Sequence, residues 1–109
     1  MEIKIPKIIK IGSHSYKVYF DEREDDGDFR GSALHSHHEI LLNPSLHKEQ
    51  LRITFIHEVL HIIGQVFDMR DQSDECILKT AEGLGILLFS DLGISFDFSN
   101  IPTRKVNGR

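Results

Sequence analysis

The sequence predicts an α+β fold: one small domain in which an N-terminal antiparallel sheet of three or four strands packs on two long helices. Three observations carry this. The chain has 109 residues, the size of one ordinary domain. The β-branched and aromatic runs with strand character are confined to the first 42 residues or so. After them come two stretches with helical periodicity. Strands followed by helices, rather than alternating with them, imply a sheet lying against a helical pair.

The elements follow in order. Residues 2–11 place isoleucine at 3, 5, 9 and 11, broken by Pro6. Gly12-Ser13-His14-Ser15 reads as a turn, and Tyr16-Lys17-Val18-Tyr19-Phe20 as a strand, giving an N-terminal hairpin. Asp21–Gly31 holds six acidic residues and an Asp26-Gly27 turn signal, so an exposed loop is expected. It lacks the spacing and the terminal Glu of an EF-hand loop. Ser32–His38 and Glu39–Leu42 suggest one or two further strands, stopped by Asn43-Pro44. Ser45 is the expected N-cap of a first helix running from Leu46 to about Phe67. That helix is apolar over most of its circumference and should be central. After a polar turn at 68–73, a second helix is expected over Asp74–Asp91. Gly83 and Gly85 weaken it by roughly 1 kcal/mol each but permit close packing on the first helix. Residues from about 95 to 109 read as a flexible tail.

Composition excludes several classes of function. Thirteen Lys+Arg against 17 Asp+Glu give a net charge of −4. There is thus no electrostatic reason to expect direct nucleic-acid binding. No apolar run approaches the ~20 residues of a membrane span. The first ten residues lack the apolar block of a signal peptide. A single cysteine, Cys76, rules out an internal disulfide framework and fits a reducing, cytoplasmic setting. Histidine is the outlier, at seven residues.

Three residues in the first helix concentrate the chemistry. His57-Glu58-Val59-Leu60-His61 is an HExxH motif, expected by chance about 0.03 times from composition alone. Residues four apart stack on one helix face, so both imidazoles can reach one zinc ion. Glu58, one position round, can reach a water on that ion without being a ligand and act as general base. Position 67 is Phe, so an HExxHxxGxxH pattern is absent and a third ligand must come from elsewhere. Asp74, Glu75 and Glu82 of the second helix are candidates that spacing does not separate.

At these residues the chain resembles the zincin metallopeptidases, in their gluzincin branch. More narrowly it resembles small phage- and prophage-encoded metallopeptidase-like proteins. The likeness runs through Ile9–Val18 (IKIGSHSYKV), the glycine-led segment Gly31–Leu42, Thr54–His61 (TFIHEVLH), and Glu75, Ala81 and Leu84. It also extends to the peptidase domain of the ImmA/IrrE regulators, whose third ligand is a glutamate six residues before a small alanine. That resemblance implies Glu75 as third ligand beside His57 and His61, Zn2+ as cofactor and Glu58 as the water-activating base. It further implies a peptide or protein substrate bound in extended form along an edge strand, either Glu39–Leu42 or Ser32–His38. His38, Tyr16 and Tyr19 are candidates to stabilise the oxyanion.

The other histidines have plainer readings. On a strand, His35 and His37 would share a face and His38 would oppose them. They are exposed sheet residues or, less often, a second metal site or accessory groups. His14 and His47 read as surface residues. Cys76 is a thiolate candidate, but helix geometry turns it about 100° from Glu75, which favours a buried core cysteine.

The leading expectation is therefore a cytoplasmic zinc metallopeptidase. The alternative is a catalytically silent, peptidase-like protein-binding module with a structural metal, serving as a regulator in a mobile element. A DNA-binding regulator is a weaker third reading, because no helix-turn-helix signal is present.

Overall fold

The computed structural model describes residues 1–22 and 29–105. It is an α+β domain with strands β1 (Glu2–Lys4), β2 (Ile8–Ile11), β3 (His14–Glu22), β4 (Gly31–Leu34) and β5 (Glu39–Leu42). Two helices follow, α1 (Lys48–Val66) and α2 (Asp74–Gly85), then β6 (Ser95–Asp97) and β7 (Thr103–Lys105).

The β2–β3 hairpin forms as expected. Its turn contains Gly12 at φ +63°, a left-handed conformation that glycine adopts without a Cβ penalty. The main sheet has the order β2-β3-β5-β4, with β7 also paired to β3. The β2–β3 and β4–β5 ladders are antiparallel, while β3–β5 and β3–β7 are parallel, so the sheet is mixed rather than wholly antiparallel. Parallel pairing arises because the chain leaving β3 first lays down β4 on the outside and then returns as β5 between them. Val18 and Phe20, two residues apart, donate backbone N–H bonds to Lys7 and Pro102, so β7 lies on the same side of β3 as β2.

Tyr16 and Val18 from β3 and Ile40 and Leu42 from β5 are fully or almost fully buried. They meet Leu51, Phe55 and Ile62 of α1 in the core. Burial alternates at Tyr16 and Val18 of β3, whereas the interior strand β5 is buried at Ile40, Leu41 and Leu42 in succession, so both of its faces are covered.

Several expectations need correction. Ser45 is not the helix cap: its backbone N–H bonds to the Asn43 side chain at 2.9 Å, and α1 starts two residues later than expected, from His47, whose carbonyl accepts from Leu51. Residues 35–37 form a 3-10 turn, not strand, closed by His38 at φ +53°. The second helix ends as α-helix at Gly85 and continues to Asp91 with π-helical bonding. The expected exposed loop falls mostly on residues 23–28, outside the described residues; its flanking Asp21 and Phe29 are buried.

The C-terminal segment through residue 105 is part of the fold. β6 pairs in parallel with β1, Ile101 is buried, and β7 extends the main sheet. Phe96 and Phe98 place their rings 5.9 and 5.6 Å from Phe55, both edge-on. Arg104 holds Glu39 at 2.9 Å and approaches the buried Asp21 at 3.7 Å. Among the described residues no helix is long and apolar enough to cross a membrane.

Candidate metal centre

The middle of α1 carries the histidine pair, and the helix face that bears it borders an open cleft of about 880 Å³. His57 and His61 project together, their Nε2 atoms 3.0 Å apart. Glu58 is buried against the sheet side, and its carboxylate completes a group with the two imidazoles whose ligand atoms lie within 4.8 Å of one another.

Gly31 makes this placement possible. A Cβ there would come within 2.8 Å of Thr54 Cγ2, 3.0 Å of the Leu41 carbonyl oxygen and 3.3 Å of Glu58 Cγ. Only glycine lets β4 run this close to the helix that holds Glu58.

The second helix supplies the third group. Ser73 caps α2, its hydroxyl accepting from the Cys76 N–H at 3.2 Å. Asp74 is then the first helical residue, where a carboxylate is favoured by the helix dipole. Asp74 Oδ1 lies 2.8 Å from His61 Nε2 and 3.8 Å from His57 Nε2. Glu75, expected as the ligand, pairs instead with Lys79 at 3.1 Å; both carboxylates are exposed, Asp74 at 86% and Glu75 at 79%, and they differ in which partner they reach. The reason is angular: neighbours on a helix differ by about 100°, so Asp74 and Glu75 cannot both face the pair. Glu82 lines the cleft, as Asp74 does; both lie outside the His57–Glu58–His61 group, and the contact to the histidines is that of Asp74.

The three donor atoms suit a metal. A circle through the two Nε2 atoms and Asp74 Oδ1 has a radius of about 1.9 Å, against the ~2.0–2.2 Å of zinc bonds to His and Asp. An ion can therefore touch all three from just outside their plane. The side chains of His57 and His61 are 18% and 22% exposed, so the face toward the cleft stays open.

Electrostatics agree with this picture. Burial raises the Glu58 carboxyl to about 7, and the Asp74 charge adds to the shift. Burial lowers the His57 imidazole, as does His61, against an opposing pull from Asp74. A neutral imidazole is the form that binds a metal.

β4 forms the opposite wall, with Gly31, Ser32, Ala33 and Leu34 lining the cleft. It is the end strand of the main sheet, whereas Glu39–Leu42 lies inside between β3 and β4. The Asn43 N–H bonds to the Arg30 carbonyl, so Arg30 and Ser32 turn their backbone groups toward β5. Gly31 and Ala33 therefore point theirs outward over the cleft. Of the two edges the sequence offered, the Ser32–His38 segment supplies the end strand, shortened to Gly31–Leu34 because residues 35–37 form the 3-10 turn.

The remaining candidates lie elsewhere. Tyr16, Tyr19 and His38 do not line the cleft. The Tyr16 hydroxyl meets His35, and Tyr19 lies under the Arg104 guanidinium. Cys76 is a half-buried free thiol outside the group.

No protein-family model and no curated protein matches the chain. The functional reading therefore rests on the site itself.

Proposed function

We propose that this chain is a zinc-dependent metallopeptidase in which His57, His61 and Asp74 hold the metal and Glu58 is the general base. The observation that carries the reading is the convergence of Asp74 Oδ1 on the Nε2 atoms of the HExxH pair, with the buried Glu58 alongside. A zinc ion bound there supplies Lewis-acid polarisation of a carbonyl and a water of lowered pKa.

The chain's own residues supply the rest. Glu58, buried beside the two imidazoles, is placed to take a proton from a bound water and to return it, as general acid–base work requires. The outward backbone groups of Gly31 and Ala33 offer an extended peptide the hydrogen bonds of an added strand, laying it between β4 and the histidine face. Leu34, Ile53 and Leu78 give the cleft apolar surface for a substrate side chain. The substrate class is therefore a peptide or an unstructured protein segment, and the resemblance to zincins supports the same reading.

The test is hydrolysis of an unstructured protein by zinc-loaded wild type and Glu58→Gln, with bound metal quantified in both. The expected loss in the variant is about 10²–10⁴-fold in rate at unchanged metal content. Equal cleavage by both proteins would overturn the proposal. Absence of cleavage by either, with a large fall in melting temperature on chelation, would instead assign the metal a structural role in a protein-binding module.

A further inference from the structure

Three of the remaining histidines converge at the far end of the β4 edge. His14 opens β3, and His35 and His38 bracket the 3-10 turn between β4 and β5. Their ring centres form a nearly equilateral triangle: His14–His38 5.2 Å, His14–His35 5.4 Å and His35–His38 5.9 Å. The imidazoles of a tetrahedral zinc site have ring centres about 5.2 Å apart, given ~2.0–2.1 Å zinc–nitrogen bonds and a ring centre ~1.1 Å beyond each nitrogen.

Two further features organise the triangle. Tyr16, fully buried beneath it, brings its hydroxyl to 2.5 Å from His35 Nδ1. With Nδ1–H donating to the phenol oxygen, His35 Nε2 keeps its lone pair for an ion, the outer hydrogen bond that typically orients a metal-binding histidine. His38 adopts a left-handed backbone conformation, uncommon outside glycine, and its ring packs against Tyr16 at 5.2 Å.

We infer that His14, His35 and His38 form a second site, for a divalent transition-metal ion such as Zn2+, Co2+ or Ni2+. The ring nitrogens of the three are further apart than those of the α1 group, so binding requires ring rotation. His14 is half-buried and His38 exposed, which leaves both rings room to turn. A metal there ties the start of β3 to the β4–β5 turn and so fixes the strand edge that borders the cleft. The site shares no residue with the α1 centre and does not depend on the function proposed for it.

The test is metal stoichiometry by equilibrium dialysis against Zn2+, with Co2+ absorption as a second readout. Wild type should bind two equivalents, and His14→Gln/His38→Asn one. His57→Ala/His61→Ala should also bind one, and Tyr16→Phe should weaken the second equivalent about tenfold. Circular dichroism checks that each variant is folded; if the His57/His61 variant is not, the His14/His38 arm decides alone. Should the α1 centre fail to bind, wild type will hold one equivalent that His14→Gln/His38→Asn loses. Unchanged stoichiometry and affinity in His14→Gln/His38→Asn would overturn the second site.

Discussion

Asp74 Oδ1 sits 2.8 Å from His61 Nε2, joining the first residue of the second helix to the last residue of the HExxH motif. Neighbouring Glu75 faces the other way and pairs with Lys79. This contact separates carboxylates that spacing alone leaves equivalent, and the proposed third ligand rests on it.

The affinity of the site should follow that geometry. Asp74→Ala is expected to weaken zinc binding at the α1 centre by at least tenfold, while Glu75→Ala leaves it within about twofold, since the Glu75–Lys79 pair is exposed and worth well under 1 kcal/mol. Competition with a chromogenic chelator, in a His14→Gln/His38→Asn background, measures both. Equal losses in the two variants would contradict the assignment.

Glu58 makes the metal-free protein sensitive to pH. Its folded pKa of about 7 lies above the ordinary 4.5, so the folded state holds that proton more tightly than the unfolded chain. Stability from this group is present below about 4.5 and is lost as pH rises toward 7. Glu58→Gln removes the titration. In EDTA the variant should gain on the order of 2–3 kcal/mol over wild type at pH 8, relative to its standing at pH 4. The depressed His57 acts in the opposite direction in both proteins and largely cancels in the difference. Urea unfolding at the two pH values is the check, and a pH-independent difference would contradict the burial argument.

The two glycines of α2 should respond oppositely to alanine. At Gly85 a Cβ would lie 2.3 Å from Ile53 Cδ1, the far end of a half-buried side chain, so Gly85→Ala requires Ile53 to change rotamer, costing on the order of 1 kcal/mol. At Gly83 a Cβ meets nothing within 4 Å, so Gly83→Ala should stabilise by up to about 1 kcal/mol through helix propensity. Thermal melts of the two variants distinguish them.

The β4 edge can be blocked without touching the metal. Ala33 points its N–H away from β5, so Ala33→Pro removes a donor on the cleft side and spares the β4–β5 ladder. The expected result is a three- to tenfold rise in KM for a peptide substrate, about one hydrogen bond's worth, with unchanged zinc affinity. A variant with wild-type KM would show that substrate does not add to this edge.

Much of this was legible in the sequence. HExxH within an apolar helical run is a local signal, and the helix carries its geometry with it. The hairpin turn at Gly12 and the close packing at Gly85 were likewise readable from residue type. Features that depend on tertiary pairing were not. Ser95-Phe96-Asp97 is three residues long, yet it becomes a strand because β1 is there to pair with it and Phe55 to receive Phe96. The parallel β3–β5 ladder depends on the route between the strands, which residue patterns do not encode. Helix α2 begins at Asp74 as expected, so the helix start did not decide between Asp74 and Glu75; Glu75 followed from the family likeness, and the packing of α2 on α1 brings Asp74 to the histidine pair.

The central claim is that one metal ion is held by His57, His61 and Asp74 beside Glu58. A crystal structure of the zinc-loaded protein, with anomalous differences collected at the zinc edge, tests it most directly. The account predicts a peak within about 2.0–2.2 Å of His57 Nε2, His61 Nε2 and an Asp74 carboxylate oxygen, with the Glu58 carboxylate outside bonding distance. A fully occupied zinc ligated by Glu75 or Glu82 in place of Asp74, or no zinc at the His57–His61 pair, would contradict it.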